Sequence, residues 1–128
     1  MLGETEAIIS MDIKKTVEKW GCCVEAAFRK GEGLLNYCQT NNPEILIIET
    51  LLDGKLDGFS TAKEILKNIN IPVIFLTCNI FSEYLPQIDI GGKYEYLQKP
   101  FTMEQLKQSL QKVYPGFIPI ESEFEQDV

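Results

Sequence analysis

Three polar side chains in this sequence stand where they could act together on an anion. Glu49 closes the apolar run Ile45-Leu46-Ile47-Ile48, Thr77 closes Pro72-Val73-Ile74-Phe75-Leu76, and Lys99 follows Tyr94–Gln98. An acid, a hydroxyl and an amine brought to one point suit phosphate handling or charge sensing. Each alone is weak, because strand ends are often polar for solvation. Other chemistry is thinly supplied. The chain has no histidine, which removes the commonest general base and the commonest zinc ligand. Its four cysteines, Cys22, Cys23, Cys38 and Cys78, show no C-x-x-C spacing, so reduced thiols packed as small apolar groups are expected. No Gly-rich loop follows a strand, and Gly91-Gly92 precedes one, which disfavours a nucleotide- or flavin-binding protein.

These side chains must be positioned by regular elements, and the apolar pattern supplies them. Ile9, Ile13, Val17 and Trp20 recur at helical spacing over Ala7–Trp20, with Gly21 as the stop. A short strand is expected near Cys22–Ala27 and a weaker helix over Gly31–Thr40. The runs ending at Glu49 and Thr77 are apolar throughout, as strands covered on both faces are. Between them Asp53-Gly54 and Asp57-Gly58 read as turns, and Ser60 or Thr61 as the cap of a helix to about Asn68. A helix over Ser82–Asp89 should be short or distorted by Pro86. Tyr94–Gln98 is a last strand, and Thr102 caps a last helix with Met103, Leu106, Leu110 and Val113 inward. Strand and helix alternate, which means an α/β fold with a parallel sheet and helices on both faces. In such a sheet ligands meet the carboxyl ends of the strands, where Glu49, Thr77 and Lys99 lie.

Size and charge narrow the function. At 128 residues, 45% hydrophobic and 24% charged, the chain is one globular domain in length. Residues 1–114 are expected to form that domain and residues 115–128 an acidic tail. The net charge is −7, so neither nucleic acid nor anionic lipid is an expected partner. No apolar run is long enough to span a bilayer and no secretory signal opens the sequence, so a cytoplasmic protein is expected.

The chain resembles response-regulator receiver domains from about Leu2 to Val113. The resemblance is carried by Glu4-Thr5-Glu6-Ala7, Pro43-Glu44-Ile45-Leu46-Ile47-Ile48-Glu49, Leu56-Asp57-Gly58, Ile71–Thr77 and Tyr96-Leu97-Gln98-Lys99-Pro100-Phe101. It implies a flavodoxin-like, doubly wound sheet. It also implies that Lys99 holds an acyl phosphate, Thr77 is the switch hydroxyl, Tyr96 the reporting aromatic, and Pro100 the residue after a cis peptide. The helix over Ser82–Asp89, the last strand and the last helix would form a partner-binding face.

Two departures outweigh the matches. Glu49 stands where the family has its phosphorylated aspartate, and one extra methylene displaces the carboxylate in a reaction governed by positioning. Thr5 occupies the slot of the acid that binds the divalent ion, leaving Glu4, Glu6 and Glu49. Magnesium wants hard oxygen ligands in an octahedron, so Mg2+ binding is expected to be weak, with Glu4 and Glu49 as its remaining ligands, and no cofactor is required. Asp53 is a second acid in reach of consideration, though an Asp-Gly turn explains it better. A permanent Glu49 carboxylate reaching Lys99 would either mimic the phosphorylated state or form a plain structural ion pair.

The family also begins with a strand of about five apolar residues, whereas only Met1-Leu2-Gly3 precede Glu4 here. Compensation is expected from residues upstream of the sequence, or from Phe117-Ile118-Pro119-Ile120 inserting into the vacant slot of its own or a neighbouring molecule. Pro119, which cannot donate to a central ladder, argues against insertion and for a solvated tail. The leading expectation is a non-enzymatic pseudo-receiver that docks a histidine kinase, a phosphotransferase or a fused output domain. Self-association through the partner-binding face or by tail exchange is a further expectation. The alternative is a conventional receiver, phosphorylated with Mg2+ on Glu49 or Asp53.

Overall fold

A computed structural model describes residues 1–78 and 93–120. In chain order the elements are β1 (Leu2–Gly3), α1 (Ala7–Lys19), β2 (Ala27–Phe28), α2 (Gly31–Cys38), β3 (Leu46–Glu49), α3 (Gly58–Leu66), β4 (Val73–Thr77), β5 (Tyr94–Gln98) and α4 (Met103–Val113). All five strands lie in one sheet of order β2-β1-β3-β4-β5, and every pairing is parallel. This is the flavodoxin-like doubly wound order. The helix expected over Ser82–Asp89 falls outside the described residues.

The continuous apolar strands follow from two covered faces. Alternate side chains of a strand point to opposite sides, and the two cores divide accordingly. Ile47, Ile74, Leu76 and Leu97 pack with Ile13 and Val17 of α1 and with Leu106, Leu110 and Val113 of α4. Leu46, Ile48, Val73 and Phe75 pack with Leu34 of α2 and with Ala62 and Ile65 of α3. Helix α4 starts at a full capping box: the Thr102 hydroxyl accepts from the Gln105 amide at 3.1 Å, and the Gln105 side chain accepts from the Thr102 amide at 2.9 Å. Helix α3 begins at Gly58 rather than after Ser60 or Thr61. Its cap is Asp57, whose carboxylate accepts from the Ser60 amide at 2.7 Å.

The slot of the first strand is filled. Leu2 and Gly3 pair with Ala27 and Phe28 on one side and with Ile47 and Ile48 on the other. Flanking bonds extend the short ladder, from the Glu4 amide to Phe28 O and from the Ile47 amide to Met1 O, both 3.0 Å. The α-ammonium of Met1 itself donates to Ile45 O at 3.0 Å. Insertion of Phe117–Ile120 is therefore overturned, because its place is occupied. The second strand also forms later than expected, at Ala27–Phe28, where its residues come opposite β1.

The tail is not wholly solvated either. Phe117 is buried, meets Trp20 edge to face with ring centres 6.3 Å apart, and the Ile120 amide donates to Trp20 O at 3.0 Å. Lys107 lies over the other aromatic system of this corner, 5.4 Å from the Trp20 ring centre. Residues 121–128, which hold all four of the tail's acids, fall outside the described residues. All four thiols are free, but only Cys22 and Cys38 are partly covered while Cys23 and Cys78 are exposed, so the packed-thiol expectation holds for half of them. No helix among the described residues is long and apolar enough to cross a membrane.

Candidate functional site

Parallel strands deliver their last residues to one edge, and the neighbours β1 and β3 lie where the strand order reverses, the usual ligand crevice of such sheets. Glu4 leaves β1, Glu49 ends β3, Thr77 ends β4 and Lys99 leaves β5. Two strand spacings, roughly 10 Å, separate β5 from β3. Only a long, flexible side chain bridges that span, and the four-carbon stem of Lys99 does so. Its Nζ donates to Glu4 Oε1 at 2.9 Å and to Glu49 Oε1 at 3.0 Å. All three side chains are at most 9% exposed.

Thr5 completes the arrangement. Its amide and its hydroxyl both donate to Glu49 Oε2, at 3.0 and 2.7 Å. Glu49 is thus held at both oxygens. Glu4 is held at one: Oε1 accepts from Lys99 and from the Glu6 amide at 3.1 Å, while Oε2 is buried with no hydrogen-bond partner. The two acids titrate apart for this reason. Burial raises the Glu4 carboxyl above its ordinary range despite the Lys99 contact. Burial also acts to raise Glu49, but the Thr5 amide, the Thr5 hydroxyl and Lys99 together hold it below the ordinary value. Lys99 loses hydration yet is pushed up by its two carboxylates.

The backbone under Glu49 is fixed from α3. The Gly58 amide donates to Thr50 O at 2.9 Å, and a Cβ at Gly58 would sit 2.0 Å from Glu49 O. Glycine is needed there because backbone passes against backbone. Thr77 is buried, and its carbonyl accepts from the Lys99 amide at 2.8 Å. Tyr96 lies one register step away, opposite Phe75. It stacks on Phe75 with centres 5.4 Å apart and meets Phe59 at 6.2 Å; burial first, then the Tyr94 phenol, raises its hydroxyl. The Lys99–Pro100 peptide is cis.

Glu4, Thr5, Glu49 and Lys99 are thus joined by hydrogen bonds and Thr77 meets them through its carbonyl, while Glu6, Asp53 and the turn residue Asp57 lie apart. Glu6 is exposed and contributes only its amide. Asp53 turns to Arg29, with which it pairs at 3.1 Å, and its own amide donates to Arg29 O. Asp57 caps α3. Sequence reasoning missed that Thr5, noted only as a lost metal ligand, is a double donor; the Glu-Thr-Glu spacing held that signal, since a residue beside the strand end can offer amide and hydroxyl to one acceptor. A divalent ion fits this set poorly. Both Glu49 oxygens and Glu4 Oε1 are committed to donors, and among the described residues no group of three His, Cys, Asp or Glu side chains is arranged to hold a metal. Magnesium needs several anionic or neutral oxygens free to face it.

Comparison with known proteins agrees with this fold. The response regulator receiver domain family matches residues 1–111. The response regulator protein GraR of Staphylococcus epidermidis is 28% identical over 116 residues, which make up 89% of this chain and 50% of GraR. The chain thus spans about half the length of the curated relatives it matches. Among solved structures, the receiver domain of Francisella response regulator 1452 superposes with a TM-score of 0.74 at 29% identity, covering 89% of this chain and 93% of its own. The receiver domain of the sensor histidine kinase PA1611 from Pseudomonas aeruginosa, whose active-site cleft coordinates a magnesium ion, shares the fold with a TM-score of 0.70 at 22% identity, over 88% of this chain and 93% of its own.

Proposed function

The chain belongs to the response regulator receiver domain family, and from that premise we propose that it is a pseudo-receiver, a signalling module that works by protein–protein contact without accepting a phosphoryl group. One observation carries the reading: the Lys99 ammonium bridges Glu4 and Glu49, and Thr5 takes the remaining Glu49 oxygen. Phosphoryl transfer needs an attacking oxygen in line with its target and cations to spread the developing charge. Here the attacking oxygens are hydrogen-bonded within the protein, the carboxylate is one methylene too long, and the metal's ligand set is incomplete. Glu49 instead gives Lys99 a permanent anionic partner, so the site is held in one arrangement. Thr77 and Tyr96, on adjoining strands, would pass that arrangement to a partner: a histidine kinase, a phosphotransferase or an output domain in the same polypeptide. The site does no catalysis of its own and holds Mg2+ only weakly.

The test is phosphorylation by acetyl phosphate with magnesium, read by intact mass. The wild-type chain is expected to gain no adduct of about 80 Da. The double variant Glu49→Asp/Thr5→Asp, which shortens the acceptor and restores an acid, is expected to gain one. A stoichiometric adduct on the wild type, at Glu49 or Asp53, would overturn the proposal.

A further inference from the structure

At the opposite end of the sheet, where the strands begin, lies a half-open pocket of about 410 Å³. Small-molecule sites run from roughly 300 to 1,000 Å³ and are largely apolar with a few directed polar groups. This pocket has that size, and most of the residues that line it are apolar. Its walls include Ile13, Val17 and Trp20 of α1, Ile47 of β3, Leu110 of α4, and Phe117 from the segment that follows α4. Its charged lining residues are Glu25, Glu44 and the Met1 ammonium. The ammonium is already committed to Ile45 O, and burial lowers its hold on a proton, partly offset by Glu25. Both acids are exposed, and each is held by a tyrosine: Glu25 accepts from the Tyr37 hydroxyl at 2.9 Å, and Glu44 from the Tyr114 hydroxyl at 3.5 Å. Two acids against one occupied ammonium leave negative charge at the rim of an apolar cavity.

We propose that this pocket binds a small amphiphilic amine, its apolar body against Trp20, Ile47 and Phe117 and its ammonium between Glu25 and Glu44. The inference is independent of the site at Lys99, which lies at the other end of the strands. It also places the ligand against Tyr114, Gly116, Phe117 and Ile118, which follow α4, so occupancy would tighten that stretch onto α1.

Trp20 is the only tryptophan in the chain, so its emission reports the pocket directly. The full chain is titrated with n-octylamine, n-octanol and octanoate, each below its micelle concentration. Octylamine is expected to shift the emission saturably and to bind roughly tenfold more tightly than octanoate, as two partly exposed ion pairs allow. Glu25→Gln/Glu44→Gln, a change at exposed positions, is expected to reduce the amine to the affinity of the alcohol. No saturable shift with octylamine, or octanoate binding as tightly, would overturn the proposal. So would a chain ending at Ile120 whose emission already differs from that of the full chain and which alone binds the amine, since residues 121–128 would then be the occupant.

Discussion

Glu4 and Glu49 share one lysine but not one environment, and stability should register the difference. Glu4, buried with an unpaired oxygen, binds its proton more tightly folded than unfolded. It therefore adds stability as pH falls from its raised value toward the ordinary carboxylate range near about 4.3. Glu49, held below its ordinary value, favours folding above that range and loses its contribution as pH falls through its own lower value. Chemical denaturation from pH 7.5 to 3 is expected to show a shallow rise and then a fall. Glu4→Gln should abolish the rise and change stability at pH 7 by no more than about 1 kcal/mol, since a neutral amide relieves a buried charge. Lys99→Met should cost about 3–5 kcal/mol at pH 7, because two carboxylates are left facing each other in the interior, and acidification should recover part of it. At this scale the sequence named Glu49, Thr77 and Lys99 from strand ends alone. It hid the assignment of each oxygen, because Thr5 and Glu4 lie 44 and 95 positions from the groups they contact.

Elements that read clearly were those whose apolar period matched their packing. Helix α1, the strands ending at Glu49 and Thr77, and β5 all lie where the pattern put them. The start of α3 did not, because Ser60, Thr61 and Asp57 are all acceptable caps and only the tertiary contact with β3 selects among them. That contact is Gly58, and it makes a testable demand. Gly58→Ala is expected to destabilise by more than about 2 kcal/mol, beyond the helix propensity gained, because a methyl at 2.0 Å from Glu49 O must push α3 off the strand. Thermal denaturation would give the cost, and the Glu49 amide resonance should shift with it. Gly3→Ala is the comparison: its added methyl meets side chains rather than backbone, Leu34 Cδ1 at 2.8 Å and Ile48 Cγ1 at 3.0 Å, so a smaller loss is expected.

Taken whole, the molecule is a closed stack of two cores about a parallel sheet, and its tail is part of one of them. Phe117→Ala is expected to cost about 3 kcal/mol, in the range of other buried phenylalanines, and to red-shift Trp20 emission by admitting water; equilibrium unfolding followed by fluorescence checks both. The acidic composition of residues 115–128 concealed this, because one buried aromatic is invisible among prolines and glutamates. The two-residue β1 has a consequence of its own. Met1–Glu4 is a wedge driven between two partners, hydrogen-bonded to residues 26–28 on one flank and 45–48 on the other. Such a wedge is expected to open as a unit. When it does, an interior row of backbone groups is wetted, the polar cluster loses Glu4 and Thr5, and the cavity at the far end loses its floor. Amide hydrogens of Leu2, Glu4 and Ile47 should then exchange with solvent deuterium at one common rate, and that rate would measure how often both ends of the domain open together.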